Sequence, residues 1–596
     1  MAEYKVPVRD IEFAFHDVLD LTAHYQQLPG AEEVDRDFIG AVMTEAAKFS
    51  EDVLAPLNQS GDQQGCQWND TVVTTPDGFK DAYQQFVDNG WPALAQDVEK
   101  GGQGLPMSLQ MSVYEMLISA NLAWGLYPTI TWGAVTTIEA HGTDEQKRLF
   151  LPEMIAGRWT GTMCLTESHC GSDLGLLRTK AEPNADGSYN ITGNKIFISS
   201  GEHDMADNIV HVTLARLPDA PAGTKGISLF LVPKFHINGD GSIGERNSVS
   251  CGSIEHKMGI HGNATCVINF DNAKGYLIGP ENRGLNCMFT FINESRVDVC
   301  LQAHGQIERS YQGALSYARE RLQMKAIPRV DKEKPADPII AHPEIRRLLL
   351  TQRSFSEGAR LMAYDLARLV DLVRSGSEEE KHQAEAALGF LTPIAKGFIT
   401  EAAIEATSHG VQVYGGHGFI QEWGMEQLSR DVRITAIYEG TTAIQGLDLI
   451  TRKILADDQV QYQRYLTEIK QFCATNKAEL DSLMDTYLQY LATWEQTTAR
   501  VLEASLKDLN EANAAAVDFL MLSGYVVMGY YLVRAAVTAK ANLADDNDGY
   551  YQSKMDNAVF FVSKIMPRIH GLQKQIEAGT ECYMTLAGKD FDLASE

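Results

Sequence analysis

Residues 411–445 read VQVYGGHGFIQEWGMEQLSRDVRITAIYEGTTAIQ. The segment carries a Gly415-Gly416 turn, then an Arg430-Asp431 pair, then Tyr438-Glu439-Gly440-Thr441. A single glutamate at a helix end is ordinarily solvated or a cap. Here Ile437 and Tyr438 stand directly before it, which suits a carboxylate in a dry pocket, where desolvation raises its basicity. In the company of the turn and the Arg-Asp dipeptide, Glu439 is the candidate base.

Outward from this segment the text is helical on both sides. Upstream, Val297, Leu301, His304, Ile307, Tyr311, Ala314 and Ala318 form one stripe that ends before Pro328. Downstream the chain turns polar at 452–465, then stays helical to Glu596 apart from the loop ADDNDG at 544–549. Further upstream the pattern changes: SYNITGNKIFISSG, NIVHVTLARL, GISLFLVPKFHI and TCVINFDNAKGYLIG are β-rich runs divided by Gly, Asn, Asp and Pro. Before them helical spacing returns, with Phe38, Val42, Ala46 and Phe49 on one face. The expected organisation is α+β: an N-terminal extension at 1–34, an α-helical domain at 35–161, a β domain at 162–282, a helical bundle at 283–455 and an extra helical domain at 456–596.

One motif points elsewhere. Gly239, Gly241 and Gly244 match the G-x-G-x-x-G of dinucleotide-binding folds, which works only where a strand precedes and a helix follows. GERNSVSCGS follows instead, with no helical period, so the match reads as a turn between strands.

Composition sets the outer bounds. A chain of 596 residues exceeds one hydrophobic core. With 44% hydrophobic and 22% charged residues it reads as folded throughout. The net charge of -28 opposes nucleic acid and anionic membrane surfaces, and a polyanionic ligand would need a local basic site. The nine cysteines form no C-x-x-C pair, and MAEYKVPVRDIEF has no apolar leader, so a reduced cytoplasmic protein is expected. Phe519–Val533 is uncharged but shorter than the about 20 residues of a membrane span, and reads as a core or interface helix, with membrane contact at most peripheral.

Four separated segments together resemble the acyl-CoA dehydrogenase family: MCLTESHCGSD at 163–173, ITGNKIFISSGEHD at 191–204, EHKMGIHGNATCVINFDNAKGYLIG at 255–279, and the segment 411–445. The resemblance covers residues from about 35 to 450. It implies an N-terminal α-helical domain, a middle β-barrel or sandwich domain and a C-terminal four-helix bundle, with FAD as cofactor and an acyl-CoA as substrate. It further implies that Thr166, Ser172, Phe197 and Ser199 meet the flavin, with Met163, Leu165 and Gly171 in the same loop. Arg321, Gln412, Gly415, Gly416 and Thr441 match positions around the FAD pyrophosphate and adenosine, some of which in the family reach from a neighbouring subunit. Arg296, Ser172, Tyr438 and Gly440 fall on the acyl-CoA side, and Glu439 matches the base.

The implied reaction is α,β-desaturation of a saturated acyl-CoA to a trans-2-enoyl-CoA in fatty acid β-oxidation, with electrons passing to an electron-transferring flavoprotein. The chemistry is coherent by itself. An α C–H beside a thioester is a weak acid, so a carboxylate must be held against it and the developing oxyanion met by preorganised donors, while the hydride chemistry belongs to the cofactor.

This sequence departs from the commonest family pattern at Phe197 (Trp), Ser168 (Pro), Ser199 (Thr), His261 (Arg) and Met324 (Phe). The departures and the extension resemble a subgroup of bacterial enzymes of about this length. Some of these act on medium- to long-chain acyl-CoAs, the substrate favoured here; others are 3-methylthiopropanoyl-CoA dehydrogenases. Two more alternatives stay open, an acyl-CoA oxidase and a non-catalytic flavoprotein subunit. By resemblance to the larger family members the extension implies a homodimer, with the tetramer of shorter members left open, and side chains between Tyr114 and Trp132 are candidates to close the acyl pocket. Histidines 169, 203, 261, 304 and 417 stand at no ligand spacing with carboxylates, so no metal is expected. Cys164 and Cys170 lack a spaced histidine and read as packing residues.

Overall fold

Helix starts in the first part of the chain are set by side-chain caps. Asp35 accepts from the Phe38 N–H to open Arg36–Phe49, Asn121 accepts from the Trp124 N–H to open Leu122–His141, and Thr143 with Gln146 forms a capping box ahead of Asp144–Ile155. Between them, Met107–Ala120 is buried on every side, as an all-round apolar helix must be. The computed structural model describes residues 3–586 and 588. It divides into two compact units, Glu3–Val6 with Tyr25–Asp298, and Pro7–His24 with Val299–Glu596.

In the unit that includes Tyr25–Asp298, these helices cover a seven-stranded sheet. Its strand order is Trp159–Cys164, Asn208–Ala215, Ser228–Pro233, Thr265–Ile278, Tyr189–Ser199, Lys180–Pro183, with Val249–Ile254 also paired to Thr265–Ile278. Trp159–Cys164 runs parallel to Asn208–Ala215 and every other pairing is antiparallel. The strand Thr265–Ile278 joins two halves: Tyr276–Ile278 pair with Leu229–Leu231, and Thr265–Gly275 pair with Tyr189–Ser199. One core lies between helices and sheet (Val135, Ile138, Phe150, Val212, Leu231, Phe291), and a second lies within the β layers (Ile191, Ile198, Phe230, Cys251, Ile268). The helical region also contains a hairpin, Gln67–Asn69 with Val72–Thr74, turned by Asp70 and Thr71 at positive φ. Asn238–Ser242 is a turn between paired strands Phe235–Ile237 and Ile243–Arg246, so the glycine motif there opens no helix.

The other unit is helical. Pro343–Ser375 and Glu378–Tyr414 pack along each other, the second opened by a Ser377/Glu380 capping box. The helix Leu509–Ala541 of the extension packs against both, and against Asp481–Lys507 and Tyr550–Phe560. Its central residues Phe519, Leu520, Val526, Val527 and Met528 are buried. By length and composition Glu378–Tyr414 and Leu509–Ala541 could each cross a membrane, but 72% and 83% of their apolar windows are buried inside the protein, as core helices require.

Glycines set how closely these helices cross. A Cβ on Gly524 would lie 2.2 Å from Cγ of Phe398, and one on Gly397 would lie 2.7 Å from Cδ1 of Leu520. The Phe398 ring is held edge-on by Tyr525 at 4.8 Å and Phe355 at 6.3 Å between centroids, so it has little room to withdraw. Gly524→Ala is expected to cost about 1–3 kcal/mol by overpacking, against the ~1 kcal/mol that helix propensity alone would return. A raised unfolding temperature would show that the crossing relaxes freely.

Candidate active site

The expected flavin segment begins on Trp159–Cys164, where alternation buries Thr162 and Cys164 and leaves Met163 half-buried. After it, Leu165 and Thr166 are half-buried and Gly171 and Ser172 exposed. Two ties hold this loop to the neighbouring strand: the Ile196 N–H donates to the Thr166 carbonyl at 2.9 Å, and Lys195 Nζ donates to the Leu165 carbonyl at 2.9 Å. The same Nζ donates to Glu167 Oε1 at 2.9 Å, and the Glu167 oxygens also accept from Thr179 Oγ1 and from the N–H groups of Arg178 and Thr179. Burial by itself would raise the Glu167 carboxyl; the Lys195 charge and these donors overcome that and hold it at about 2.

Phe197 sits where a β-bulge interrupts the pairing between Cys266 and Ile268, at φ +60 and 59% exposed. A left-handed aromatic in a strand is strained, and such strain collects at functional sites. Simple alternation places Phe197 and Ser199 on one strand face, and Ile198 is buried between them; the bulge accounts for the left-handed backbone of Phe197. An exposed aromatic face beside Ser199 and Thr166 is suited to a planar ring with a polar edge. Arg296 is half-buried in Gly284–Glu320. Tyr114 and Trp132 are buried edge to face, with Tyr114 Oη donating to Thr129.

In the other unit the loop of the candidate base lies between the turn Arg433–Ala436 and the helix Thr442–Leu447, which Thr441 caps. Glu439 and Tyr438 are half-buried, and Tyr438 Oη donates to Gln302. Glu439 has φ +54 and Gly440 φ +95. Gln445 Nε2 donates to the Glu439 carbonyl at 3.0 Å, Lys396 Nζ to the Gly440 carbonyl at 2.6 Å, and Thr442 Oγ1 to Glu401 at 2.5 Å. Neither Lys396 nor Glu401 was singled out from sequence. Lys396 carries the one legible signal, a lone charge inside the apolar run GFLTPIAKGFIT.

Arg321, Gln412, Gly415 and Gly416 come together elsewhere. Tyr317 stacks on Tyr414 at 4.2 Å between centroids, which joins the C-terminal ends of Gly284–Glu320 and Glu378–Tyr414 just before Arg321 and the glycine turn. Gly415, at φ +61 and ψ -135, needs glycine, and His417 Nδ1 pairs with Tyr317 Oη at 2.8 Å. The helix sets this end apart from the base loop: Gln412 follows Lys396 and Glu401 by about 16–24 Å at 1.5 Å per residue. Within one chain, therefore, Thr441 does not join the other four.

Two histidine contacts lie outside what sequence spacing showed. His169 Nε2 does lie near a carboxylate, 3.8 Å from Glu167, and with Cys170 forms a group of ligand-type atoms. The loop's register brings it there, and the Glu167 oxygens are already engaged. Cys164 also has a histidine neighbour, since strand pairing puts His211 Nδ1 3.8 Å from Sγ. Burial raises that thiol to about 11 and lowers His211 to about 3, so the pair is inert packing. At the family's arginine position, His261 bonds Asp62 at 2.9 Å, which raises it to about 8 and keeps a cation there.

Family models match in chain order. They are the acyl-CoA dehydrogenase N-terminal domain at 40–158, middle domain at 162–273 and C-terminal domain at 282–455, then an acetyl-CoA dehydrogenase C-terminal-like domain at 465–587. A 3-methylmercaptopropionyl-CoA dehydrogenase of Ruegeria pomeroyi is 41% identical over 577 residues, covering 94% of this chain and 96% of that protein. A broad-specificity linear acyl-CoA dehydrogenase of Mycobacterium tuberculosis is 32% identical over 606 residues, covering 97% and 98%. In fold, the chain is similar to a solved acyl-CoA dehydrogenase from Bacillus anthracis complexed with FAD, with TM-score 0.73 at 20% identity over 93% of this chain and 90% of that one.

Proposed function

The chain belongs to the acyl-CoA dehydrogenase family, and from that premise we propose that it desaturates a small acyl-CoA, 3-methylmercaptopropionyl-CoA foremost, with Glu439 as the base. It is, with its family, an FAD-dependent oxidoreductase acting on a CH–CH bond. One observation carries the assignment of the base: Glu439 is half-buried on a left-handed turn whose next two carbonyls are each tied by a buried side chain. A carboxylate presented so firmly is suited to one position and one proton.

Bound FAD supplies the acceptor for the β-hydride. Met163, Leu165, Thr166, Gly171, Ser172, Phe197 and Ser199 would hold its ring, and the exposed Phe197 face fits that group. Thr441 would also contact FAD. Arg321, Gln412, Gly415 and Gly416, a helix length away from Thr441, would serve the FAD of a partner chain, which makes the active assembly a homodimer. Glu439 takes the pro-R α-proton while its own N–H meets the thioester oxygen, and Ser172, Arg296, Tyr438 and Gly440 orient the acyl-CoA. Electrons then leave to an electron-transferring flavoprotein.

The sequence favoured a medium- to long-chain substrate and kept the thioether as an alternative. The Ruegeria relative supports the alternative. A methylene in an apolar pocket is worth only about 1 kcal/mol, so neighbouring chain lengths are expected to react more slowly rather than not at all. Anaerobic titration with 3-methylmercaptopropionyl-, butanoyl-, octanoyl- and hexadecanoyl-CoA, following flavin absorbance, tests this. Fastest bleaching by the thioether supports the proposal, and fastest bleaching by hexadecanoyl-CoA restores the long-chain reading. Bleaching by none would overturn the dehydrogenase assignment.

A further inference from the structure

Glu439 holds a backbone conformation that a residue with a side chain disfavours, and something must keep it there. The two peptide groups that follow its Cα are each fixed through their oxygen. Gln445 Nε2 takes the Glu439 carbonyl at 3.0 Å and Lys396 Nζ takes the Gly440 carbonyl at 2.6 Å. Both side chains belong to fully buried residues, one on the helix after the loop and one in the middle of Glu378–Tyr414. Gly440 is fitted to the arrangement, since a Cβ there would lie 2.5 Å from Gln445 Nε2.

We propose that Gln445 and Lys396 are positioning residues for the base, holding the two carbonyls after Glu439 so that its carboxylate stays on the left-handed turn. The inference rests on the reading of Glu439 as base. Release of either carbonyl lets the turn relax toward the right-handed region and swings the Glu439 Cα–Cβ bond away from the reacting carbon.

The Gln445 amide separates this role from a structural one. Its Oε1 is buried with no hydrogen-bond partner among the described residues, a cost to stability that an apolar replacement of similar shape removes. A side chain kept for packing would serve better as methionine. One kept for its Nε2 tolerates the orphan oxygen.

The test is Gln445→Met in the FAD-loaded enzyme, with Lys396→Met and Lys396→Arg beside it. The rate constant for flavin reduction by acyl-CoA is expected to fall about 10–100-fold in Gln445→Met, in line with a displacement near 1 Å at a reacting centre. Its unfolding temperature should hold or rise, and its affinity for the enoyl-CoA product should stay within about three-fold, because uniform binding is untouched. Lys396→Arg, which keeps a donor, should retain most of the rate that Lys396→Met loses. A Gln445→Met enzyme that reduces its flavin at the parent rate overturns the inference, as does a rate loss that only tracks lost FAD or lost stability. Glu439→Gln run alongside keeps the two readings apart: a parent rate there overturns the base itself, whereas an inactive Glu439→Gln with an unimpaired Gln445→Met overturns the tethers alone.

Discussion

Glu439→Gln is expected to lower the rate constant for flavin reduction by about 10²–10⁴-fold while the protein keeps its FAD and its fold, since a positioned general base contributes roughly that much. The substitution is nearly isosteric, so the left-handed turn and the Gln445 and Lys396 bonds to its carbonyls have no reason to change. The lost element is the basic oxygen. A C–H beside a thioester does not ionise without a base at contact distance, and water is a poor substitute. The loss should therefore fall on the reduction step and leave affinity for the enoyl-CoA product nearly as it was. Stopped-flow reduction under anaerobic conditions reads this directly. A variant within tenfold of the parent would place the base on another residue.

The proposed base, Glu439, can be singled out from sequence because its surroundings are local: the glycine turn, Arg430-Asp431 and Tyr438-Glu439-Gly440-Thr441 lie in one short stretch, and period and turn chemistry mark the boundaries around it. Its support was not legible. Lys396 lies 44 residues before the carbonyl it holds, and a lysine in an apolar run does not announce its acceptor. The same limit applies to the flavin side. Phe197 and Ser199 read as one face of a strand, and alternating burial agrees, but the bulge that puts Phe197 at positive φ arises from pairing with Thr265–Ile278, which local pattern cannot show. Histidine contacts failed for the same reason: His169 meets Glu167, and His211 meets Cys164, through loop register and strand pairing rather than through spacing. The separation of Thr441 from Arg321 and the glycine turn follows from helix length, and becomes visible only once Lys396 and Glu401 are seen to anchor the base loop partway along Glu378–Tyr414.

Lys554→Met should produce the largest loss of stability outside the site. Lys554 is buried in Tyr550–Phe560, and its ammonium bonds Asp10 at 2.7 Å and Glu357 at 3.0 Å. Glu357 also accepts from Arg353 at 2.7 Å and from Asn557 at 2.8 Å, and Tyr550 Oη donates to Asp10 at 2.7 Å. Removing the ammonium leaves the buried Glu357 carboxylate and the half-buried Asp10 carboxylate short of a partner, a change that costs about 3–5 kcal/mol and should lower the first thermal transition by roughly 5–10 °C. Burial alone would raise both carboxyls; Lys554, with Arg360 at Asp10 and Arg353 at Glu357, overcomes it and holds both below their ordinary values. A carboxyl depressed in the folded state contributes stability above its unfolded pKa and loses it as pH falls through the folded one. The gap between parent and Lys554→Met should therefore be full at neutral pH and narrow below about pH 4. Because Asp10 ties the helix Val8–Glu12 to this network, amide exchange at 8–18 should quicken first. Glu357→Gln added to Lys554→Met should recover part of the loss, since it removes the stranded charge; a double variant no better than the single one would show that the lysine acts by packing its stem and not by its charge.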